Sequence, residues 1–340
     1  MARKTKSPVY QRKLYKTHDA DAPEDILGPL KHLPGKWVGE GTGWNMIALP
    51  FQEAPPPPQG FNYRVLMNQY REDLTFSLID SAVPNRGLRR PGNPASNFDQ
   101  EVVTLDYQQQ IKQIAVDDRP PSSHRGPIGA PIHHEPGLWL YARDLRTDNI
   151  DIARLASIPH GNSVLALGES SIIKGAPVIP PINGFPIGRH ETIENLPPDA
   201  YDFRSDPYLA PYKHYVDTPF MGTVTGVPGF PGFSPNNMNA ILSFANQGVD
   251  IKRTTVLTVD SKRATGGVSN MPFTTREAEP VSMRSTFWIQ ELAGKKIKGK
   301  PRLRMQYSQV VMLNFFGRED QLPGRATWPH ISIATLEKVY

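Results

Sequence analysis

Short stretches in which polar and apolar residues alternate run along most of this chain. Residues 250–256 and 302–307 show the pattern clearly, and a period of two is typical of strands with one buried face. Ten to twelve such strands without a long helical pattern favour an all-β fold, an antiparallel β-barrel of about ten strands of the lipocalin type. The predicted strands are residues 36–51, 61–68, 72–82, 100–115, 137–144, 149–158, 163–173, 239–248, 250–260, 280–293, 301–316 and 330–340.

Long proline-rich insertions interrupt the predicted strands at about residues 54–60, 84–97 and 175–239. The last insertion is rich in aromatic residues, which disordered segments lack, so it is expected to be ordered. A long ordered loop is typical of a lid over a binding site, and an aromatic-anchored surface element or a dimer arm explains the pattern equally well. Its aromatic residues are Phe185, Tyr201, Phe203, Tyr208, Tyr212, Tyr215, Phe220, Phe230 and Phe233.

The net positive charge of the chain is concentrated at the N-terminus. Residues 1–16 hold six of the 38 basic side chains and no acid, so subtracting them leaves 32 basic against 33 acidic residues, a net charge of −1. This distribution predicts a basic arm over residues 1–26, followed by a single domain over residues 27–340. We expect no specific nucleic-acid partner, because no basic face is interleaved with aromatic residues. A homo-oligomer assembled through the arm and the long loops is a further possibility.

Composition limits the chemistry available to the chain. There are no cysteines, so any metal must be held by histidine, carboxylate, tyrosine or methionine. No run of about 18 apolar residues and no secretory leader are visible, which predicts a cytoplasmic protein with no membrane partner.

The C-terminal strand carries one candidate metal ligand. Pro329 stiffens the approach to His330, and alternation places His330 on the same face as Ser332, Ala334 and Leu336. A single histidine at the start of a strand is more often structural than a ligand. The case for a site therefore depends on other segments.

Two other segments add candidate chemistry. The segment 33–43 places glycines at every second position from Gly39 to Gly43, which either clears one strand face for a close approach or bends a barrel strand. Further along, His133 and His134 lie between prolines, and only one of two adjacent side chains can face an interior. His160, in a Gly-Asn turn, is interpreted as a turn residue.

Four segments together resemble the nitrobindin family, ferric haem proteins built on a lipocalin-like or fatty-acid-binding-like barrel. The matching features are Leu-x-Gly-x-Trp-x-Gly-x-Gly-x-Gly at 33–43, Pro-x-His at 131–133 followed by Gly-Leu-Trp at 137–139, the glycine pair 161 and 168, and Pro-His at 329–330. The long proline-rich insertions have no counterpart in the family.

The resemblance implies a haem b cofactor with His330 as the proximal iron ligand. His133, or failing that His134, would be the catalytic pocket histidine. It also implies nitric oxide binding or peroxynitrite conversion, and a lid would favour peroxide-driven oxidation of an organic substrate. The alternative is a binding protein for haem, nitric oxide or an apolar small molecule without turnover. Residues expected to contact the haem are Trp37, Gly39, Gly41, Ile132, Ile158 and Trp328.

Overall fold

The computed structural model describes residues 24–50, 62–87, 99–144, 147–188, 207–318 and 322–340. Strands dominate this part of the chain. They are β1 Gly35–Pro50, β2 Tyr63–Asn85, β3 Gln100–Arg119, β4 Pro131–Ala142, β5 Ile152–Ile158, β6 Asn162–Lys174, β7 Ile251–Asp260, β8 Gly267–Asn270, β9 Glu279–Leu292, β10 Leu303–Gly317 and β11 Arg325–Lys338. The α-helices are short: α1 Glu24–Leu27, α2 Ala210–Asp217, α3 Ala240–Phe244 and α4 Pro272–Glu277.

The strands form one antiparallel sheet that closes on itself. Its order is β5-β4-β3-β2-β1-β11-β10-β9-β7-β6, and β5 pairs with β6 to complete a ten-stranded barrel. β8 lies outside the barrel and pairs with β6. The prediction of an antiparallel barrel of about ten strands is confirmed, and closure leaves these ten strands without an unpaired edge.

Three details of the predicted strands are wrong. The predicted strands 61–68 and 72–82 are one continuous strand, β2. The segment 239–248 contains the helix α3 in place of a strand, since a short apolar run does not distinguish the two by periodicity. β11 begins at Arg325, so His330 pairs with Val311 inside the strand and does not open it.

The barrel interior is filled by side chains from all ten strands of the barrel. Bulky members of this inner core include Trp37, Tyr70, Trp139, Phe287 and Tyr307, each no more than 4% exposed. Close packing on this scale leaves the middle of the barrel as a core and not a channel.

The segment around α1 closes one end of the barrel. Leu27, Leu30 and Leu33 join the inner core. His32 forms hydrogen bonds at the ends of two strands, β11 and β9. The Lys338 ammonium donates to the His32 carbonyl at 2.6 Å, and the His32 ring pairs with Glu291 at 2.9 Å. The ends of β9 and β11 therefore lie at the end of the barrel that the α1 segment closes, which we call the plugged end. The start of β11 lies toward the opposite end, which we call the mouth.

A second core lies on the outside of the barrel. It joins outward-facing residues of β1, β2, β10 and β11, such as Trp44 and Ile331, to the described parts of the 175–239 insertion. The insertion contributes Ile179, Phe185, Leu209, Tyr212, Tyr215, Phe233 and Met238, all at most 9% exposed. These aromatic residues anchor a surface element, so in its described parts the insertion does not cover the barrel interior as a lid. Residues 54–60, 88–97 and 189–206 of the predicted insertions lie outside the described residues, as do residues 1–23 of the arm.

Candidate functional site

Three histidines meet at the mouth of the barrel. His330 points inward from β11, as do Ala334 and Leu336 further along the strand, and His133 points inward from β4. His160 lies in the turn between β5 and β6, with its ring centroid 6.3 Å from that of His133. Burial, together with the proximity of His133 and His160, lowers the pKa of His330 to about 3. His330 is therefore a neutral imidazole at physiological pH.

A ladder of amide side chains supports His330 from the neighbouring strands. Its Nε2 lies 2.7 Å from Asn45 Oδ1, which also accepts a hydrogen bond from the Ser332 hydroxyl at 3.1 Å. The Asn45 amide donates to Asn68 at 3.1 Å, and Asn68 donates to Gln113. This row of hydrogen bonds thus runs across β11, β1, β2 and β3 on the inner wall of the barrel, and it fixes the ring of His330 against that wall.

His133 is held by a fully buried carboxylate. Glu135 Oε2 lies 3.2 Å from His133 Nε2, while its Oε1 accepts a 2.5 Å bond from Arg154 and another from the Tyr107 hydroxyl. Burial alone would raise the pKa of Glu135, but the Arg154 charge and the hydrogen bonds from His133 and Tyr107 outweigh it and lower the pKa to about 2. An ionised carboxylate that accepts from one ring nitrogen fixes the orientation of the histidine and leaves the other nitrogen available.

Arg154 balances the charge of Glu135, and the Arg154 side chain is itself buried. Its remaining nitrogens donate to Tyr107 at 2.9 Å, Gln309 at 2.7 Å and Ser285 at 3.2 Å. The guanidinium also lies 5.2 Å from the centroid of the Tyr107 ring, within cation–π range. The pair is thus satisfied as a buried ion pair, and its position is set by side chains from four strands.

A second buried carboxylate, Glu72, has no cation within hydrogen-bonding distance among the described residues. Its oxygens accept hydrogen bonds from Gln109 and from the Tyr307 hydroxyl, each at 2.7 Å. The Tyr307 and Tyr70 hydroxyls lie 2.9 Å apart, and Tyr70 donates to the Ile333 carbonyl at 3.1 Å. Burial raises the pKa of Glu72 to about 7, so this group holds a proton in the interior close to neutral pH.

The other site residues expected from the sequence are spread over the molecule. His134 is exposed and points away from the interior, whereas Ile132 and Ile158 are partly buried near the mouth. Trp37 lies at the plugged end, where its indole donates to the Leu33 carbonyl at 2.8 Å. Trp328 belongs to the outer core and stacks on Phe315 with ring centroids 4.8 Å apart.

The glycines of β1 make room for the protein's own side chains. A Cβ added at Gly43 would lie 2.0 Å from the Tyr70 ring, and one at Gly39 would lie 2.8 Å from Leu336. Gly41 has φ +71°, a backbone conformation that favours glycine, at a shift in the strand register. The space beside these glycines is occupied, so the described residues provide no cradle for a cofactor here.

Sequence reasoning missed His160, Glu135 and Arg154. Glu135 shares the inward face of His133 by alternation, so the spacing itself carried that signal. Arg154 and His160 reach the site only because β5 pairs with β4 and the β5–β6 turn rises beside it. Among the described residues, no group of three or more His, Asp or Glu side chains is arranged to hold a metal ion.

Comparisons with known proteins found a likeness of structure and none of sequence. No family model matches the chain, and no curated protein does. A search of solved structures returned the crystal structure of Rv2717c from M. tuberculosis, with a TM-score of 0.34, 13% sequence identity and coverage of 94% of this chain and 99% of that chain. In the described part of the chain, no helix has the length and apolar character needed to cross a bilayer.

Proposed function

We propose that this chain binds haem b at the mouth of the barrel through His330 and acts as a peroxidase-like or peroxynitrite-converting enzyme, with His133 as its acid–base group. One observation carries the proposal. A neutral imidazole and a second imidazole, oriented by a buried, ionised carboxylate, lie at the same end of the barrel. Ligation of haem iron requires a neutral imidazole, and general acid–base work requires an oriented one.

The donor atoms at the mouth fit a single-histidine haem site. Ligation through Nε2 would require His330 to give up its hydrogen bond to Asn45. Asn45 Oδ1 would still accept from Ser332, and its amide would still donate to Asn68, so no buried polar atom would lose its last partner. The exchange therefore costs about 1 kcal/mol, the typical net worth of one hydrogen bond.

The packed interior restricts where a large planar ligand can lie. Tyr70, Trp139 and Tyr307 fill the barrel below the histidines, so the ligand would lie at the mouth and stay open to solvent on one side. Haem bound by an imidazole supplies an iron centre for nitric oxide, peroxide or peroxynitrite. In this arrangement His133 would take or return a proton of the bound ligand, and Glu135 would hold the His133 ring in place.

The first test is the visible absorption spectrum of the protein expressed with haem supplied, compared among wild type, His330→Ala and His134→Ala. His134 is a matched control because it is a neighbouring histidine with an exposed side chain. We expect a Soret band in wild type and in the control, and a shifted or absent band in His330→Ala. A wild type without a Soret band, or identical spectra for all three proteins, would refute haem ligation by His330.

The second test separates catalysis from binding without turnover. Rates of peroxide-driven oxidation and of peroxynitrite decay are measured for haem-loaded wild type, His133→Ala and His134→Ala. Removal of a general acid–base group typically lowers the rate by about 10² to 10⁴. If haem-loaded wild type reacts no faster than free haem, the barrel is a haem or nitric oxide binding protein without turnover. If wild type turns over and His133→Ala matches its rates, His133 is not the acid–base group.

A further inference from the structure

A basic hairpin projects from the plugged end of the barrel, far along the strands from the histidines. It comprises residues 293–302, which connect β9 to β10. Ile297 and Lys300 exchange backbone hydrogen bonds of 2.9 and 3.0 Å around Lys298 and Gly299, whose φ angles are +48° and +78°. Two successive positive φ angles are the geometry of a tight hairpin turn, so the tip is a defined structure and not a loose loop.

The hairpin presents cations without acids to balance them. It contains five basic residues and no acidic residue, and all five are exposed: Lys295, Lys296, Lys298, Lys300 and Arg302. Lys298 Nζ donates to the Tyr340 carbonyl at 3.0 Å. Burial, and then the nearby charge of Lys300, lower the pKa of Lys338 to about 8.

Three acidic residues lie at the strand ends beside the hairpin: Glu291, Asp250, whose carbonyl accepts from the Ala293 N–H at 2.9 Å, and Glu337, which is opposite Arg304 in the strand register. Glu291 already accepts from Arg253 and His32, so its charge is shared with other partners. Self-repulsion that is maintained in a folded protein is relieved when an anionic partner binds.

We propose that this end of the barrel docks on the surface of an anionic lipid bilayer through the hairpin 293–302. Charge complementarity to lipid headgroups is one reason. Apolar side chains among the cations are the second, since Ile297 is 38% exposed and Val339 is 52% exposed. The hairpin holds no aromatic residue on which a nucleic-acid base could stack, which favours the lipid surface over nucleic acid.

This docking surface departs from the expectation of no membrane partner, which considered only spanning segments and leader sequences. It is independent of the haem proposal, because the hairpin and the histidines lie at opposite ends of the barrel. Docking in this orientation would leave the mouth facing the aqueous phase.

The test is flotation of the full-length protein with vesicles of phosphatidylcholine alone or with about 30% phosphatidylserine, at low and high salt. The hairpin variant is Lys295→Gln/Lys296→Gln/Lys298→Gln. The matched control is Lys112→Gln/Arg125→Gln/Lys262→Gln, which removes the same number of exposed charges elsewhere. Thermal unfolding is used to check that each variant is folded.

We expect wild type and the control to bind the anionic vesicles and to be released by salt. The hairpin variant should bind about a hundredfold more weakly, since each of the three lysines contributes about a fivefold factor near an anionic surface. Ile297→Ser should also weaken binding at low salt, because it removes an exposed apolar side chain from the same surface. Equal binding to both vesicle types would overturn the proposal, as would a hairpin variant that binds like the control. Hairpin-dependent binding to single-stranded DNA without binding to the vesicles would also overturn it and indicate nucleic acid as the partner.

Discussion

The wild-type barrel is expected to become less stable as the pH rises, because Glu72 then loses its proton. The substitution Glu72→Gln is expected to abolish this dependence on pH. Burial raises the pKa of Glu72 from its ordinary 4.5 to about 7. Between these two values the folded state holds a proton that the unfolded state has released. The contribution to the free energy of unfolding is therefore complete below pH 4.5 and is lost as the pH rises through 7.

The size of this loss follows from the two pKa values. Each pKa unit is worth about 1.4 kcal/mol, so the separation between 4.5 and about 7 corresponds to about 3 kcal/mol. Glutamine mimics the neutral acid at this position. The glutamine carbonyl can accept a hydrogen bond from Gln109, and the glutamine amide can donate to the Tyr307 hydroxyl. The Tyr307 hydroxyl can then donate its own hydrogen bond to the Tyr70 hydroxyl.

Urea unfolding monitored by tryptophan fluorescence at about pH 5 and about pH 8.5 measures the effect. We expect Glu72→Gln and wild type to be of similar stability at the lower pH, with the variant more stable by about 2 to 3 kcal/mol at the higher pH. Glu169→Gln is the control, because the Glu169 side chain is 62% exposed. A variant whose difference from wild type is the same at both pH values would show that Glu72 does not titrate in this range and would refute the reasoning.

Two further predictions concern the packed interior. Glu135→Gln should destabilise the protein by about 3 to 5 kcal/mol, because Arg154 then remains buried without its counter-charge. The double variant Glu135→Gln/Arg154→Met should recover part of that loss in the same urea assay. A double variant that is less stable than Glu135→Gln would contradict this reasoning. Gly43→Ala should lower the midpoint of thermal unfolding strongly, because the new Cβ would lie 2.0 Å from the Tyr70 ring. The control Gly267→Ala meets no atom within 4 Å, and equal effects of the two alanine substitutions would show that the close approach at Gly43 is relieved at little cost.

The places where the sequence misled are informative about the fold. The break between the predicted strands 61–68 and 72–82 falls where the register of β2 with β3 shifts, between Gln69 and Tyr70. β2 continues through this irregularity, with the Glu72 carboxyl in the interior and Arg71 paired with Asp73 at 3.1 Å on the other face. Alternation did place His330 correctly on the same face as Ala334 and Leu336, which the structure turns toward the barrel interior.

The long insertion shows a different limit. Its aromatic residues predicted order, and the described parts are ordered around Tyr212, Tyr215 and Phe233. Aromatic content alone does not say which surface such residues cover. That choice depended on the apolar outer face of β1 and β11, where Trp44 and Ile333 provide the partner surface.

The sequence by itself determined the strand content, the antiparallel barrel and the inward direction of His330, because alternation is a local property that each strand carries in its own residues. Only the tertiary structure decided that His133, His160 and His330 share one mouth and that Glu135 pairs with Arg154. It also decided that Glu72 keeps a raised pKa. These features arise from strand register and barrel closure, which bring residues distant in the sequence into contact and exclude the water that would otherwise screen their charges.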